Sequence, residues 1–128
     1  MALNFDHAFG VHAQALRVRA ERTQLLASNL ANANTPGYQA RDLDFAATMA
    51  RTSEAHSLGG TSAALEQAWA DGDADTLYRV PNLPSRDGNT VEVGVEQALF
   101  SQNTSDFQMS MTFLNMKLRG LQSAIRGE

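Results

Sequence analysis

The sequence predicts a mainly α-helical protein whose two long terminal helices pair as an antiparallel, coiled-coil-like core. Apolar residues recur at alternating intervals of three and four in the first and last thirds of the chain, which is the spacing of heptad helices. The middle third lacks this spacing and is rich in small and polar residues. We therefore expect one core domain formed by residues 1–45 and 90–128. Residues 46–89 are expected to be a loose insert with at most a short helix and short strands.

The predicted N-terminal helix runs from about residue 8 to residue 33, a length of about 39 Å at 1.5 Å per residue. Its heptad seam consists of Phe9, Ala13, Leu16, Ala20, Thr23, Ala27, Leu30 and Asn34. A second apolar line lies beside the seam and contains Val11, Val18 and Leu25. The resulting stripe is wide enough for two packing partners.

Turn-forming residues end this helix. Pro36 and Gly37 suit the two central positions of a type II turn, with Gly37 at positive φ. Residues 38–45 then alternate between apolar and polar side chains over their first positions, which favours a short extended stretch.

The predicted C-terminal helix runs from about residue 92 to residue 126. Its seam consists of Phe100, Thr104, Phe107, Met111, Leu114, Leu118, Leu121 and Ile125. A second stripe contains Met109, Phe113 and Met116. Asn89 or Thr90 follows a turn signal and is the expected N-cap of this helix.

Within the insert, the sequence predicts a short helix at 62–70, anchored by Trp69, and a short strand at 77–80 that ends before Pro81. Two helices alone do not cover two wide apolar stripes. We therefore expect apolar surface on the monomer that copies of the chain or related chains cover, which is typical of an assembly component rather than an enzyme.

Composition excludes several functions. A net charge of −4 argues against nucleic acid as a partner, because phosphate binding needs a basic surface. The absence of cysteine excludes thiolate zinc sites and cysteine nucleophiles. No apolar run approaches the roughly 20 residues of a membrane span. The N-terminus lacks the features of a cleavable signal peptide, so we expect a cytoplasmic protein or export by another route.

No motif points to catalytic, cofactor-binding or metal-binding residues. Asp71, Asp73 and Asp75 alternate as in a calcium loop, but Thr76 and Asn82 stand where an EF-hand needs glycine and glutamate. His7 and His12 are five residues apart, which misaligns them on one helix face. We find neither a glycine-rich phosphate loop nor a nucleophile elbow.

Residues 26–38, LASNLANANTPGY, resemble the N-terminal signature of the bacterial flagellar axial proteins of the rod, hook and hook-associated structures. The signature positions are Ser28, Asn29, Leu30, Asn32, Asn34, Thr35, Pro36, Gly37 and Tyr38. Residues 39–45, 87–91 and 112–127, with the short length, narrow the resemblance to FlgB-type proximal rod proteins. The sister FlgC type is the alternative within the family.

The resemblance implies a structural subunit of a hollow rod in the periplasm, between the inner-membrane ring with its export gate and the distal rod. It implies export by the flagellar type III apparatus without a cleaved peptide. The implied partners are copies of the chain, FlgC-like and FlgF-like rod proteins, the FliE adaptor, the ring and the gate. No cofactor, small-molecule substrate or nucleic acid is implied. A cytoplasmic helical adaptor or export chaperone is the competing hypothesis.

The resemblance also implies roles for particular residues. Packing within and between subunits is expected of Phe9, Leu16, Leu25, Leu30, Phe107, Leu114, Leu118 and Leu121. The amides of Asn29, Asn32 and Asn34 have two interpretations. They bond to the backbone of neighbouring subunits, or they cap and terminate the helix.

Overall fold

A computed structural model describes residues 5–57 and 76–127 and confirms a mainly helical fold. The helices are α1 (Phe5–Ala31), α2 (Phe45–Ser57) and α3 (Val93–Arg126). The strands are β1 (Arg41–Leu43) and β2 (Thr76–Tyr78). The two long helices therefore lie in the predicted first and last thirds of the chain, and the elements between them are short.

Helices α1 and α3 pack along each other in opposite directions. Asn29 near the end of α1 bonds to Glu96 near the start of α3, and Arg19 pairs with Asp106 further along. Phe9 and Leu118 line one groove at the far end of the pair. Residue numbers fall along α1 as they rise along α3, which confirms the predicted antiparallel arrangement.

The faces that meet are rotated from the predicted seams. On α1, the buried residues are Gln14, Val18, Leu26 and Asn29, whereas the seam alanines Ala13, Ala20 and Ala27 are exposed. On α3, Glu96 and Asn103 are buried and Met111 and Leu118 are exposed. Most of the buried residues therefore lie outside the predicted seams, and several of them are polar side chains that bond from one helix to the other.

The extended stretch expected after the turn contains β1. It pairs antiparallel with β2, which overlaps the predicted strand at 77–80; Asp42 lies opposite Leu77. Helix α2 was not expected, since residues 46–57 were predicted to be irregular. Asp44 caps it by accepting a hydrogen bond from the Ala47 amide at 3.0 Å. The helix predicted at 62–70 and the three alternating aspartates lie outside the described residues.

The turn after α1 has the predicted geometry. Gly37 has φ +70°, and the Tyr38 amide donates to the Thr35 carbonyl at 3.2 Å. The predicted N-cap of α3 is wrong, because Glu92 occupies that position and makes no side-chain cap bond. Asn89 and Thr90 instead bond to other parts of the chain.

Buried polar cluster and exposed apolar surface

The signature residue Asn29 lies at the centre of a buried polar cluster. Its side chain is fully buried, and its amide nitrogen donates to the Arg41 carbonyl at 2.7 Å and to Glu96 Oε2 at 3.1 Å. Its amide oxygen accepts from the Arg41 amide at 3.1 Å and from the Tyr38 hydroxyl at 3.3 Å. The side chain thus bonds to both backbone groups of one β1 residue, as a neighbouring strand would.

Ion pairs extend this cluster through the insert. Asp42 receives two hydrogen bonds from Arg22, both at 2.8 Å, and one from Arg79 at 2.7 Å. Arg79 also pairs with Glu96, which is fully buried. The chain Arg22–Asp42–Arg79–Glu96 therefore joins α1, β1, the end of β2 and α3.

The carboxyl group of Asp42 is held in its charged form. Burial by itself raises the pKa of Asp42, but the hydrogen bonds from Arg22 and the Leu43 amide, with the charges of Arg22 and Arg79, outweigh it and lower the pKa. The hydrogen bond with Asp42 also raises the pKa of Arg22, against the effect of burial. The pair is therefore charged throughout the physiological pH range.

Asn89 closes the end of α1 rather than the start of α3. Its buried side-chain nitrogen lies 3.0, 2.9 and 2.9 Å from the carbonyl oxygens of Asn32, Ala33 and Thr35. These carbonyls lie where a helix runs out of internal partners. The Thr90 hydroxyl accepts a hydrogen bond from the Ala40 amide at 2.7 Å. Both residues therefore tie the chain before α3 to the turn after α1.

The other signature residues lie around this cluster. The hydroxyl groups of Ser28 and Tyr38 are 3.2 Å apart. Asn32 donates to the Ser28 carbonyl and accepts from the Thr35 hydroxyl. The hypothesis of bonds to neighbouring subunits is wrong for Asn29, since its buried amide bonds within its own chain. Asn34 is exposed, and its intersubunit role stays a prediction.

A second polar contact lies midway along the helix pair. Asn103, which is almost fully buried, donates to the Arg19 carbonyl at 2.8 Å and to the Thr23 hydroxyl at 2.9 Å. The Arg19 guanidinium pairs with Asp106 at 2.9 Å and lies 4.3 Å from the centre of the Phe45 ring. This contact attaches the start of α2 to both long helices.

The sequence prediction missed these polar partners. Glu96 and Asn103 are seven residues apart and lie beside the predicted seam of α3. Two polar residues at a heptad interval in an amphipathic helix were the available signal for buried polar contacts between the helices. Asp42 and Arg79 gave no such signal, because their pairing depends on the return of β2 to β1.

Apolar side chains are exposed on α3 from its middle toward its C-terminal end. Met109, Phe113 and Met116 are 56%, 50% and 54% exposed, and we call these three residues the outer stripe. At about 100° per residue, Met109 and Met116 lie about 120–140° around the helix from Asn103, which faces α1, and Phe113 lies about 80° from it. Because of these angles α1 does not cover the outer stripe.

A shallow apolar groove lies between the N-terminal part of α1 and the C-terminal part of α3. Phe9, Leu118, Leu121 and Ile125 line it. Of the residues expected to pack, Leu118 is exposed and the others are half-buried: Phe9, Leu16, Leu25, Leu30, Phe107, Leu114 and Leu121. Leu26, which belonged to no predicted line, is fully buried.

Residues 5–57 and 76–127 contain no group of three or more acidic or histidine side chains placed to hold a metal ion. In the same residues, no helix is long and apolar enough to cross a membrane.

Comparison with known proteins decides the family. The chain is 50% identical over 127 residues to the flagellar basal body rod protein FlgB of Cereibacter sphaeroides, covering 97% of this chain and 98% of the relative. This chain belongs to the FlgB family of flagellar basal-body rod proteins. It is 42% identical to FlgB of Aeromonas hydrophila over 131 residues, which cover 100% of this chain and 99% of the relative. It is 41% identical to FlgB of Salmonella typhimurium over 133 residues, which cover 95% of each chain.

A family model described as "Flagella basal body rod protein" matches residues 9–39. This match contains every signature residue from Ser28 to Tyr38, including Asn29 at the centre of the polar cluster. The chain is therefore a structural component of the flagellar basal-body rod.

Proposed function

We propose that this subunit forms part of the proximal rod, polymerising with copies of itself and with FlgC-like and FlgF-like rod proteins. In this proposal the rod is a hollow drive shaft in the periplasm, adjoining a FliE adaptor, the inner-membrane ring and the export gate. The subunit passes through the flagellar type III apparatus without a cleaved peptide. It has no catalytic role and needs no cofactor.

The outer stripe of α3 is the observation that carries this proposal. A monomer gains about 25 cal/mol for each Å² of apolar surface that it removes from water. Here Met109, Phe113 and Met116 stay half-exposed although α3 already packs on α1. A subunit that works inside a polymer covers such surface with its neighbours.

The domain division forms part of the proposal. Residues 1–45 and 90–128 form the core that stacks in the rod, and residues 46–89 form the insert. The extensive contacts between α1 and α3 support a single core. Helix α2 also packs on α1, so the insert is attached to the core at its N-terminal part.

The test is deletion of the gene followed by electron microscopy of isolated basal bodies. We expect inner-membrane rings without a rod, restored by a plasmid that carries the intact chain. A complete rod and hook without the gene would contradict the proposal. Stable folding of the free chain, with no secretion, would favour a cytoplasmic adaptor or export chaperone instead.

Leu118→Asp tests the polymer contacts in the same strain. Leu118 is exposed, so a carboxylate there leaves the fold intact but opposes the burial of the groove by a neighbour. We expect export of the variant without rod growth. Thr104→Asp, at another exposed position of α3, is the matched control. The half-buried Leu30→Asp is expected to block rod growth and also to weaken the fold. Normal motility of both leucine variants would contradict the proposal.

A further inference from the structure

The small sheet is closed at one edge and open at the other. In an antiparallel ladder, facing pairs alternate between pairs that bond to each other and pairs whose backbone groups point outward. The Arg79 amide bonds to the Ala40 carbonyl at 2.9 Å, so the next pair, Arg41 and Tyr78, points outward. The outward groups of Arg41 both bond to the Asn29 side chain. Those of Tyr78 point away from the sheet at the opposite edge.

The open edge also carries apolar side chains. In the described part of the chain, no group bonds to the outward amide and carbonyl of Tyr78. Tyr78 is 66% exposed, Val80 is 87% exposed and Leu77 is 57% exposed. Exposed apolar side chains beside unpaired backbone groups are the features that an added β-strand covers. A helix does not satisfy these backbone groups, since its own are already bonded internally.

We propose that an extended, apolar segment of a different basal-body protein adds to the outer edge of β2 as a third strand. This inference rests on the proposed rod function. The edge is short, because Pro81 lacks an amide hydrogen and ends it. The added strand therefore pairs over a few residues only.

The geometry favours a different protein over a second copy. A copy cannot offer its β1 edge, since Asn29 occupies it. Two β2 edges that pair antiparallel are related by a two-fold axis, which forms a closed dimer. A shaft whose subunits all point the same way contains no such axis. The segment that fits this edge in the rod therefore comes from another kind of chain.

The experiment uses the full chain in the deletion strain, with p-benzoylphenylalanine at Leu77 as a photoreactive probe. Basal bodies are isolated after illumination, and mass spectrometry identifies the conjugated peptide. We expect one conjugate, with an extended segment of a basal-body protein other than this chain. A conjugate with a second copy, a conjugate with a helical segment, or no conjugate in a motile strain would overturn the proposal.

Tyr78→Pro sharpens the test because it removes the outward amide and leaves the β1–β2 ladder bonds intact. Loss of one such bond is expected to lower the conjugate yield about two- to tenfold. Tyr78→Phe, which keeps the amide, is the matched control. If purified Tyr78→Pro does not fold, Val80→Lys replaces it, since a charge at this exposed position opposes an apolar strand. An unchanged yield in the folded variant would contradict the proposal.

The experiments distinguish a wrong third-strand proposal from a wrong rod proposal. If the deletion strain builds a complete rod, the rod function itself is wrong. If the intact chain restores the rod and Tyr78→Pro restores it equally well, with no change in conjugate yield, only the third strand is wrong.

Discussion

The two ends of the helix pair are built in opposite ways. Where α1 ends and α3 begins, buried polar groups are matched closely: Asn29 makes four hydrogen bonds, and Asp42 and Glu96 each pair with an arginine. Along the second half of α3, apolar side chains stay exposed. The buried polar groups of the first end find their partners within one chain, whereas in the proposed rod the second end provides apolar surface for neighbours.

This difference separates folding from assembly. Few apolar residues in the described part of the chain are fully buried. The buried hydrogen bonds and ion pairs therefore contribute much of what holds α1 and α3 in one arrangement. Buried hydrogen-bonded side chains specify one register, because any shift leaves them unpaired. Substitutions at the polar end are therefore expected to act on folding, and substitutions on the outer stripe on assembly.

The largest expected effect on stability comes from Glu96→Ala. It leaves Arg79 and Asn29 without their buried partner, which costs about 3–5 kcal/mol of unfolding free energy. Urea unfolding followed by far-ultraviolet circular dichroism measures it. Gln97→Ala, at an exposed position of the same helix, is the control. An unchanged midpoint would show that the cluster does not hold the ends of the helices together.

Asn89→Ala is expected to cost less, about 1–3 kcal/mol, because it removes the side-chain donor of the Ala33 carbonyl and one of the two donors of the Asn32 and Thr35 carbonyls. Hydrogen exchange should become faster at the amides of residues 28–35. Asn34→Ala is the matched control, since Asn34 is exposed in the same turn and its loss is expected to change stability by less than about 0.5 kcal/mol. Equal effects of the two variants would refute the capping role of Asn89.

Acidification should weaken the polar end through Asp42. Its pKa is lowered on folding from an ordinary value of 3.8, so its contribution is complete above that value and is lost as the pH falls through the lower folded pKa. Asp87, bonded by Ser85, and Glu92, bonded by Asn82, have lowered pKa values and act in the same direction. Unfolding free energy measured between about pH 5 and pH 2 should decline less steeply in Asp42→Asn. An equally steep decline would place the acid sensitivity elsewhere.

The smallest effect on folding is expected from Phe113→Ser and Met116→Ser. Both side chains are half-exposed, so the unfolding free energy should change by less than about 0.5 kcal/mol. Rod growth and swimming should nevertheless decline, because a hydroxyl group replaces apolar surface that neighbours cover in the proposed rod. Thr112→Ser is the control on the same helix. A large drop in the unfolding free energy of these variants, with normal rod growth and swimming, would contradict the assignment of the outer stripe to assembly.

The sequence predicted whatever depends on local spacing. Heptad intervals located α1 and α3, and Pro36 with Gly37 located the turn. The same spacing did not determine which apolar line faces inward, because each helix carries apolar residues on more than one side. Asp44 was a capping signal for α2, but the scarcity of large apolar residues after Phe45 hid that helix.

Long-range polar contacts were not predictable from spacing. Asn89 has the residue type and the position of an N-cap for α3, yet it bonds to carbonyls more than fifty residues earlier in the chain. Asn29 had two interpretations, a bond to a neighbouring subunit or a helix cap, although it lies well inside its helix. Its partner is the backbone of Arg41, which approaches only because the turn reverses the chain.

The chain segments before β1 and after β2 lie side by side, at residues 37–38 and 87–90. The Gly37 amide bonds to the Asp87 carbonyl at 2.9 Å, and the Thr90 amide bonds to the Tyr38 carbonyl at 3.0 Å. These two segments are therefore bonded to each other directly, independently of the residues between them. Lengthening a loop between fixed ends costs only about 0.6 kcal/mol for each doubling of its length. Evolution can enlarge or replace the segment between β1 and β2, even with a whole domain, while the paired helices keep their register.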